Sequence, residues 1–366
     1  MLSVFCSPSR YVQGRDATSQ LGEQLRKVGL DGPAFVLATA RTTSMLGQTW
    51  ARSLDAAGIS HVVGGFGGEC TEDEIAAGTE RARSANAKVV IGAGGGKALD
   101  TARAIAANLA IPVVNCPTLA SSDAPCSALS VVYDADGTFS KLLFYPRNPE
   151  LVLVDTTLVA QAPRRYLVSG MGDALATWFE ARTVIEARKS NQVHGGTTLT
   201  GGALARLCYD TLLQDGPAAA ASVDVSAVTP ALERIVEANT LLSGLGFESG
   251  GLAIAHSVHN GLTTAPATHN FLHGEKVAFG LLVQLVVEGR PSAEFAEVFN
   301  FSREVGLPTT LADLGLSCDD QAALRLVAER TVADGETAHN EPFDVTAEAI
   351  LDGIMTADHL AATAIG

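Results

Sequence analysis

Histidines concentrated in one apolar segment are the most informative feature of this sequence. Four of the chain's eight histidines lie between Gly251 and Gly280. An imidazole is costly to bury unless each ring nitrogen has a partner, and a divalent metal is a strong partner for one of them. Two helices joined by a short loop can each present a histidine to the same ion. The segment therefore predicts a metal centre, and its histidines are His256, His259, His269 and His273.

The surrounding sequence indicates which two histidines are the better candidates. His256 and His259 are three residues apart and share one face of a predicted helix. His269 lies among proline, threonine and asparagine residues, which favours a loop before a helix that begins near Phe271. We therefore expect His256 and His273 to be the ligands. The alternative for any one of them is a buried histidine whose ring nitrogens are satisfied by other groups.

Asp173 supplies an oxygen ligand that would complete such a site. It follows Gly170 and Gly172 and is predicted to lie in the first turn of an apolar helix. Two imidazoles, one carboxylate and an open coordination position are typical of catalytic zinc or ferrous iron. The alternative for Asp173 is a favourable contact with the helix dipole, worth about 0.3–1 kcal/mol.

A glycine-rich turn between a predicted strand and a predicted helix is suited to a phosphate group. The turn consists of Gly94, Gly95, Gly96 and Lys97. Glycines allow the backbone to approach a pyrophosphate closely, and the free N–H groups at the start of the next helix favour an anion. The spacing is neither that of a P-loop nor that of GxGxxG, because Lys97 occupies the last glycine position. The alternative is a tight structural turn with a solvated lysine.

Hydroxyl-bearing residues follow the next predicted strand along the chain. Thr118, Ser121 and Ser122 lie at its carboxyl end, where open α/β sheets bind their ligands. Asp123 lies among small residues in the same segment. It is either a carboxylate that faces the substrate or a turn aspartate that accepts a hydrogen bond from its own backbone.

Length, charge and cysteine content limit the class of protein. A chain of 366 residues is expected to hold two domains. The net charge of −15 opposes binding to nucleic acid or to an anionic membrane. The six cysteines are scattered without a CxxC pair, which is typical of reduced thiols. Because we find neither a signal peptide nor a run of ~18 apolar residues, we expect a cytoplasmic protein.

The first part of the chain alternates between short apolar runs and helical stretches, as in a mainly parallel sheet covered on both faces. Beyond Asp155, helical periodicity dominates. We therefore predict an α/β nucleotide-binding domain over residues 1–162 and an all-helical domain over residues 163–366, with the active site in the cleft between them. Ser190–Gly202 is expected to be a mobile loop. The expected strands are 34–38, 61–63, 88–92, 111–115 and 151–154, with a hairpin over 127–145.

These segments together resemble the glycerol dehydrogenases of the iron-containing (polyol) alcohol dehydrogenase superfamily, over nearly the whole chain. The resemblance implies the dehydroquinate synthase-like fold and a zinc-dependent, NAD-linked oxidation of glycerol to dihydroxyacetone. It also implies a homo-oligomer, often an octamer. The matching segments are residues 92–102, 117–133, 172–182 and 237–253, His256 with residues 259–261, and residues 273–280.

The resemblance also implies roles for individual residues. Asp173, His256 and His273 correspond to metal ligands, in agreement with the choice made from the residues alone. Asp123 corresponds to an aspartate that contacts glycerol. The positions that correspond to cofactor contacts are Gly94, Gly95, Gly96, Lys97, Thr118, Ser121, Ser127, Leu129 and Tyr133.

Two segments depart from the family pattern. Members usually carry an acidic residue at the end of the second strand, where it bonds the ribose hydroxyls of NAD. Here Thr39 stands near Arg41 instead, and an arginine can accommodate the 2′-phosphate of NADP. The segment Lys189–His194 also lacks the small residues expected there, which affects the rim of the site or subunit contacts.

The hypothesis is that a divalent metal, Zn²⁺ or Fe²⁺, lowers the pKa of a diol hydroxyl and that hydride passes to the nicotinamide. One alternative is an NADPH-dependent reductase of 2-oxo acids or other vicinal carbonyls. A lyase or cyclase similar to dehydroquinate synthase would need a phosphate clamp, for which only Arg164, Arg165 and Lys276 are candidates. A binding protein without catalysis would have no reason for three ionisable ligands around an open position.

Overall fold

The computed structural model describes residues 1–134 and 137–365. They form two compact units. One unit contains residues 6–134, 137–163 and 221–244, and the other contains residues 1–5, 164–220 and 245–365. The first unit thus includes a helical segment, 221–244, that lies beyond the boundary expected from the sequence.

A six-stranded parallel sheet forms the centre of the first unit. The strands are β1 (Tyr11–Gly14), β2 (Ala34–Ala38), β3 (His61–Gly65), β4 (Val89–Gly94), β5 (Val113–Pro117) and, after the hairpin described below, β8 (Leu151–Asp155). Their order across the sheet is β1-β8-β5-β4-β2-β3. Strands β2, β4, β5 and β8 are buried throughout, which explains their mainly apolar sequence. The predicted α/β architecture is confirmed, and β1, a half-buried edge strand, is an addition to it.

The helices of the sheet cover both of its faces. They are α1 (Leu21–Lys27), α2 (Ala40–Ala56), α3 (Glu72–Ser84), α4 (Gly96–Leu109) and α5 (Thr156–Gln161). Trp50 of α2 packs with Val36 and Ile91 on one face. Ile105 of α4 packs with Phe35 on the other face. The chain therefore changes face between β2 and β4, and the carboxyl ends of these strands flank the crevice where such sheets bind ligands.

The predicted hairpin forms a separate two-stranded sheet. Strands β6 (Leu129–Tyr133) and β7 (Phe139–Phe144) are antiparallel, with Leu129 opposite Phe144. Within the predicted hairpin, which has its turn at residues 134–137, Ala135 and Asp136 lie outside the described part of the chain.

The rest of the chain is helical, as the sequence periodicity predicts. No helix among residues 1–134 and 137–365 is long and apolar enough to cross a bilayer. The helices are α6 (Arg164–Ala187), α7 (Leu199–Asp224), α8 (Pro230–Glu237), a π-helical turn (Ala238–Leu242), α9 (Ser243–Gly250), α10 (Ile254–Leu262), α11 (His273–Val287), α12 (Ser292–Val305), α13 (Gln321–Thr331) and α14 (Ala347–Ile365).

The segment between α6 and α7, expected to be mobile, is held by Asn191. This side chain is 3% exposed. Its amide nitrogen donates to the carbonyl oxygens of Val4 and Ser249, and its oxygen accepts from the backbone N–H of Gly195. These contacts anchor the segment, so the expectation of a mobile loop was wrong for the residues around Asn191.

Candidate metal centre and dinucleotide loop

Asp173 lies in the middle of a long helix rather than at its start. Helix α6 begins at Arg164, so Asp173 is in its third turn and is 0% exposed. The prediction of a first-turn position was therefore wrong, and the helix-dipole explanation for this carboxylate is wrong with it. Gly170 and Gly172, which suggested a helix start, are both inside α6.

Glycine at two positions allows helices α6 and α11 to approach each other closely. A Cβ atom on Gly274 would lie 1.8 Å from the carbonyl oxygen of Ser169, and one on Gly172 would lie 2.4 Å from the carbonyl oxygen of Gly274. Each glycine is next to a candidate ligand, since Gly172 precedes Asp173 and Gly274 follows His273. Close packing of the two backbones therefore brings these two side chains together.

The three predicted ligands converge on one point. Nε2 of His256 and Nε2 of His273 each lie 3.2 Å from Oδ1 of Asp173. One donor atom from each of the three residues lies within 4.8 Å of the other two. Asp173 is fully buried, whereas the His273 side chain is 33% exposed, so the group is open on one side. Two imidazole nitrogens and a carboxylate oxygen in this arrangement fit a divalent ion with a free coordination position.

Glu180 holds His256 and the start of helix α10. Its Oε2 lies 2.6 Å from Nδ1 of His256. Its Oε1 accepts the backbone N–H groups of Ala253 and His256, at 2.9 and 3.0 Å. Glu180 is seven residues after Asp173, so both carboxylates lie on one face of α6. A carboxylate on Nδ1 keeps the proton there and leaves Nε2 to a metal.

His259 takes the corresponding position beside His273. Its Nε2 lies 3.0 Å from Nδ1 of His273. His269, the fourth histidine of the segment, instead contacts the carbonyl oxygen of Thr263 through its Nε2. The structure therefore brings together three of the four histidines and separates His269 from them, in the loop where the sequence placed it.

Burial and mutual contact shift the pKa values of this cluster. Burial would raise the pKa of Asp173, but His273 and His256 outweigh it and hold the pKa well below its usual value. Burial would lower the pKa of His256, but Glu180 and Asp173 raise it well above 6.5. Burial, His273 and Lys276 lower the pKa of His259. Such shifts are typical of functional sites, and metal binding here would release protons and become tighter as pH rises.

The glycine turn of the first unit lies between β4 and α4. A Cβ on Gly94 would lie 2.9 Å from Cβ of Ala98, so packing of α4 on the sheet requires a glycine there. Gly95 and Gly96 are less restricted, because their nearest neighbours would lie at 3.5 and 3.3 Å. Helix α4 has no side-chain cap at its N-terminus. Its first N–H groups therefore suit a bound anion.

Lys97 and Tyr133, both predicted to contact the cofactor, are neighbours. Nζ of Lys97 lies 5.0 Å from the centre of the Tyr133 ring. The same nitrogen lies 2.5 Å from Oε2 of Glu69, and about half of the lysine side chain is exposed. The lysine predicted to meet a phosphate is thus already oriented by an aromatic ring and a carboxylate.

The remaining predicted cofactor residues lie beside the glycine turn and along the segment that leads to β6. The N–H of Thr118 donates to the carbonyl oxygen of Gly94 at 3.0 Å. Ser121 lies in the bend that follows, and Ser127 is fully buried before Leu129 begins β6. Gly94 and Thr118 thus lie together at the carboxyl ends of β4 and β5, and all of these residues belong to the first unit.

A buried ion pair on α4 holds this segment, and sequence reasoning missed it. Arg103 pairs with Asp100 at 2.8 Å, and both side chains are buried. Arg103 also donates to the carbonyl oxygens of Ala124 and Leu129. Asp100 accepts the N–H of Val131. The ion pair could have been predicted from the sequence, because its two opposite charges are three residues apart in a mainly apolar helix.

Asp123 is buried and accepts a hydrogen bond from Ser243. The distance from Oγ of Ser243 to Oδ2 of Asp123 is 2.8 Å. Gly244 lies against the same residue, since a Cβ there would lie 3.1 Å from the carbonyl oxygen of Asp123. Residues 243–244 thus position Asp123, and no local sequence pattern connects them with it.

Comparison with known proteins places the chain in a family. Residues 8–156 match the model of the iron-containing alcohol dehydrogenases. A glycerol dehydrogenase of Pseudomonas putida is 49% identical over 97% of this chain and 96% of its own length. A glycolaldehyde reductase of Halobacterium salinarum is 47% identical over 98% of both chains.

A solved structure of a probable glycerol dehydrogenase from Sinorhizobium meliloti matches the whole molecule. It is 41% identical, has a TM-score of 0.93 and covers 99% of each chain. The resemblance found in the sequence motifs is thereby confirmed. This chain belongs to the iron-containing alcohol dehydrogenase family.

Proposed function

We propose that this enzyme oxidises glycerol, or a similar vicinal diol, to the corresponding hydroxyketone with NAD⁺ and a divalent metal. The observation that carries the proposal is the convergence of Asp173, His256 and His273 on one point in a chain of this family. The names of close relatives support the substrate class, because the Pseudomonas putida protein is a glycerol dehydrogenase.

We assign Asp173, His256 and His273 as the metal ligands. A bound Zn²⁺ or Fe²⁺ would supply Lewis acidity that favours loss of the hydroxyl proton, and NAD⁺ would accept the hydride. The protein's own part is to hold two imidazole nitrogens and one oxygen in fixed positions. The buried contact from Glu180 and the close approach of α6 and α11 support that rigidity.

We assign the dinucleotide to the carboxyl edge of the parallel sheet. Gly95, Gly96 and the uncapped start of α4 suit the pyrophosphate, and Lys97 adds a positive charge. The residues proposed to line the rest of the cofactor site are Gly94, Thr118, Ser121, Ser127, Leu129 and Tyr133.

Asp123 is proposed to orient a substrate hydroxyl. Its hydrogen bond from Ser243 fixes one carboxylate oxygen and supports a positioning role. An Asp123→Ala variant is expected to raise KM for glycerol with little change in metal content. An equal loss of bound metal would contradict this assignment.

Carbonyl reduction with NADPH is the second candidate. The Halobacterium salinarum relative is a glycolaldehyde reductase, and the sequence offers Thr39 and Arg41 instead of an acidic residue after β2. Thr39 caps α2 by accepting the N–H of Thr42. If Arg41 accommodates a 2′-phosphate, an Arg41→Ala variant would lose activity with NADPH and keep that with NADH.

A lyase reaction similar to that of dehydroquinate synthase is not supported by the basic residues. Arg165, a candidate for a phosphate clamp, pairs with Glu275 through two contacts, at 2.6 and 2.7 Å. Lys276 is buried. We propose a homo-oligomer from the family resemblance and a cytoplasmic location from the scattered cysteines, which are typical of reduced thiols.

The function is tested by initial rates on purified protein. Initial rates of oxidation would be measured on glycerol and 1,2-propanediol with NAD⁺ and NADP⁺. Initial rates of reduction would be measured on dihydroxyacetone, glycolaldehyde and a 2-oxo acid with NADH and NADPH. Each series would be repeated after chelation and after Zn²⁺ or Fe²⁺ is restored. We expect glycerol oxidation with NAD⁺ that is lost on chelation and recovered with metal. Unchanged activity in metal-free protein would refute the proposal.

A further inference from the structure

A chain of hydrogen bonds leads away from His273 on the side opposite Asp173. Nε2 of His259 lies 3.0 Å from Nδ1 of His273, and Nδ1 of His259 lies 3.1 Å from Oδ1 of Asn260. Nδ2 of Asn260 donates to both carboxylate oxygens of Glu336, at 3.0 and 3.3 Å. Arg330 pairs with the same carboxylate. We call His273, His259, Asn260 and Glu336 the histidine relay.

The charged end of the histidine relay sets the direction of every hydrogen bond in it. An ionised carboxylate only accepts, so Glu336 requires the amide nitrogen of Asn260 to face it. The amide oxygen of Asn260 must then face His259, whose Nδ1 therefore carries a proton. The ring of His259 is 5% exposed, and burial favours the neutral ring, which carries a single proton.

A neutral His259 protonated on Nδ1 has a bare Nε2, which can only accept. The proton between the two rings must then belong to Nδ1 of His273. We propose that His259, with Asn260 and Glu336, is a positioning group that fixes this tautomer of His273 and so keeps its Nε2 lone pair available to the metal. This inference rests on the proposed function, because it presupposes the metal centre.

The two imidazole ligands are thus oriented by different means. His256 contacts a carboxylate, Glu180, directly at 2.6 Å. His273 reaches its carboxylate, Glu336, only through a neutral ring and a neutral amide. A change at Glu336 is therefore expected to act on the metal from a distance, by allowing the amide of Asn260 to turn over.

The test is the affinity of the full-length apoprotein for Zn²⁺, measured by competition with a chromogenic chelator. Removal of a group that orients a metal-binding histidine typically costs about 10–100-fold in affinity. We expect a loss of this size in His259→Leu. His259→Gln is expected to retain most of the affinity, because its amide oxygen can accept from His273 while its nitrogen donates to Asn260.

A second variant tests the distant end of the relay. In Glu336→Gln the new amide can donate to Oδ1 of Asn260, which lets both amides reverse and favours the wrong tautomer of His259. We expect Zn²⁺ affinity to fall about tenfold. Glu329→Gln, an exposed change one residue from Arg330, is the matched control and should bind as the wild type does. In the His259→Leu background, Glu336→Gln should cost nothing more.

The outcomes separate the relay from the metal centre itself. Wild-type protein that binds no Zn²⁺ would overturn the proposed function and the relay together. Tight wild-type binding with unchanged affinity in His259→Leu, or with additive losses in the double variant, would overturn the relay alone. If His259→Leu does not fold, Glu336→Gln against Glu329→Gln decides the question, and equal affinities would refute the relay.

Discussion

The two candidate sites of this molecule differ in the chemical groups that form them. The metal centre consists of side chains, and each buried polar atom described above has a specific partner. The dinucleotide loop consists mainly of backbone, in which Gly95 and Gly96 expose N–H groups at the start of an uncapped helix. A site made of side chains depends on the chemistry of single residues. A site made of backbone depends on the shape of the turn. A single polar substitution at its edge should therefore reduce activity less than a substitution at a metal ligand.

The largest expected effect is at Asp173, the only anionic ligand of the proposed set. Asp173→Asn removes the charge and leaves an amide that binds metal poorly. Loss of several kcal/mol of Lewis-acid stabilisation corresponds to a fall in kcat/KM on the order of 10³-fold. Metal content and steady-state rates would be measured together. Asp210→Asn, which changes only an exposed pair with Arg206, should keep the metal content and the rates of the wild type. Retention of metal in Asp173→Asn would contradict the dependence of the metal centre on single residues.

The second effect is steric and also concerns the metal centre. Gly274→Ala would place a Cβ 1.8 Å from the carbonyl oxygen of Ser169, so α6 and α11 must separate. We expect about 1–3 kcal/mol of destabilisation, typical of overpacking, together with weaker Zn²⁺ binding. Thermal denaturation and chelator competition would measure the two effects. Gly47→Ala, where the nearest atom would lie 3.8 Å from the new Cβ, should lower neither the thermal stability nor the Zn²⁺ affinity.

The third effect concerns the dinucleotide loop. Lys97→Met removes one charge beside a backbone site, and we expect KM for NAD⁺ to rise about tenfold, equivalent to about 1.4 kcal/mol. Metal content should not change. Lys27→Met, which breaks an exposed pair with Glu23, is the control. A loss of kcat as severe as that of Asp173→Asn would show that the loop does not tolerate single changes better than the metal centre.

The smallest expected effect on activity is at Glu341, a buried carboxylate of the helical unit. Burial and the neighbouring Glu288 and Glu180 raise the pKa of Glu341 from 4.5 to about 9. Between these values the unfolded chain releases a proton that the folded chain retains, so this residue makes folding less favourable as pH rises. Glu341→Gln should therefore be more stable than the wild type at pH 8, and the difference should decrease as pH falls and vanish towards pH 4.5.

The matched measurement is thermal denaturation of Glu341→Gln and wild type from pH 5 to pH 9. Glu348→Gln, at an exposed position in the first turn of α14, would show whether any carboxylate has the same effect. A constant difference across the pH range would contradict the assignment to Glu341.

Much of the fold was predictable, because buried parallel strands have continuous apolar sequences. The hairpin was predictable from its glycine-ended turn, and most helices were predictable from their periodicity. β1 was missed because Tyr11–Gly14 is a short, half-buried edge strand. The inclusion of residues 221–244 in the first unit depends on distant contacts, such as that of Ser243 with Asp123, which have no local pattern.

The candidate ligands were predictable from residue type and spacing, but the groups that orient them were not. Gly172 was interpreted as a helix start, whereas it is needed for the approach of α11 in the middle of α6. Glu180 was readable in principle, since it is a buried charge two turns from Asp173. The hydrogen-bonded chain of His259, Asn260 and Glu336 was not predictable, because it joins two segments that are far apart in sequence.

The most direct test of the metal centre is a crystal structure of the purified protein with anomalous diffraction data collected at the zinc and iron edges. We expect one strong peak about 2.0–2.2 Å from Nε2 of His256, Nε2 of His273 and a carboxylate oxygen of Asp173. A metal-replete crystal with no peak there, or with its peak on other residues, would contradict it.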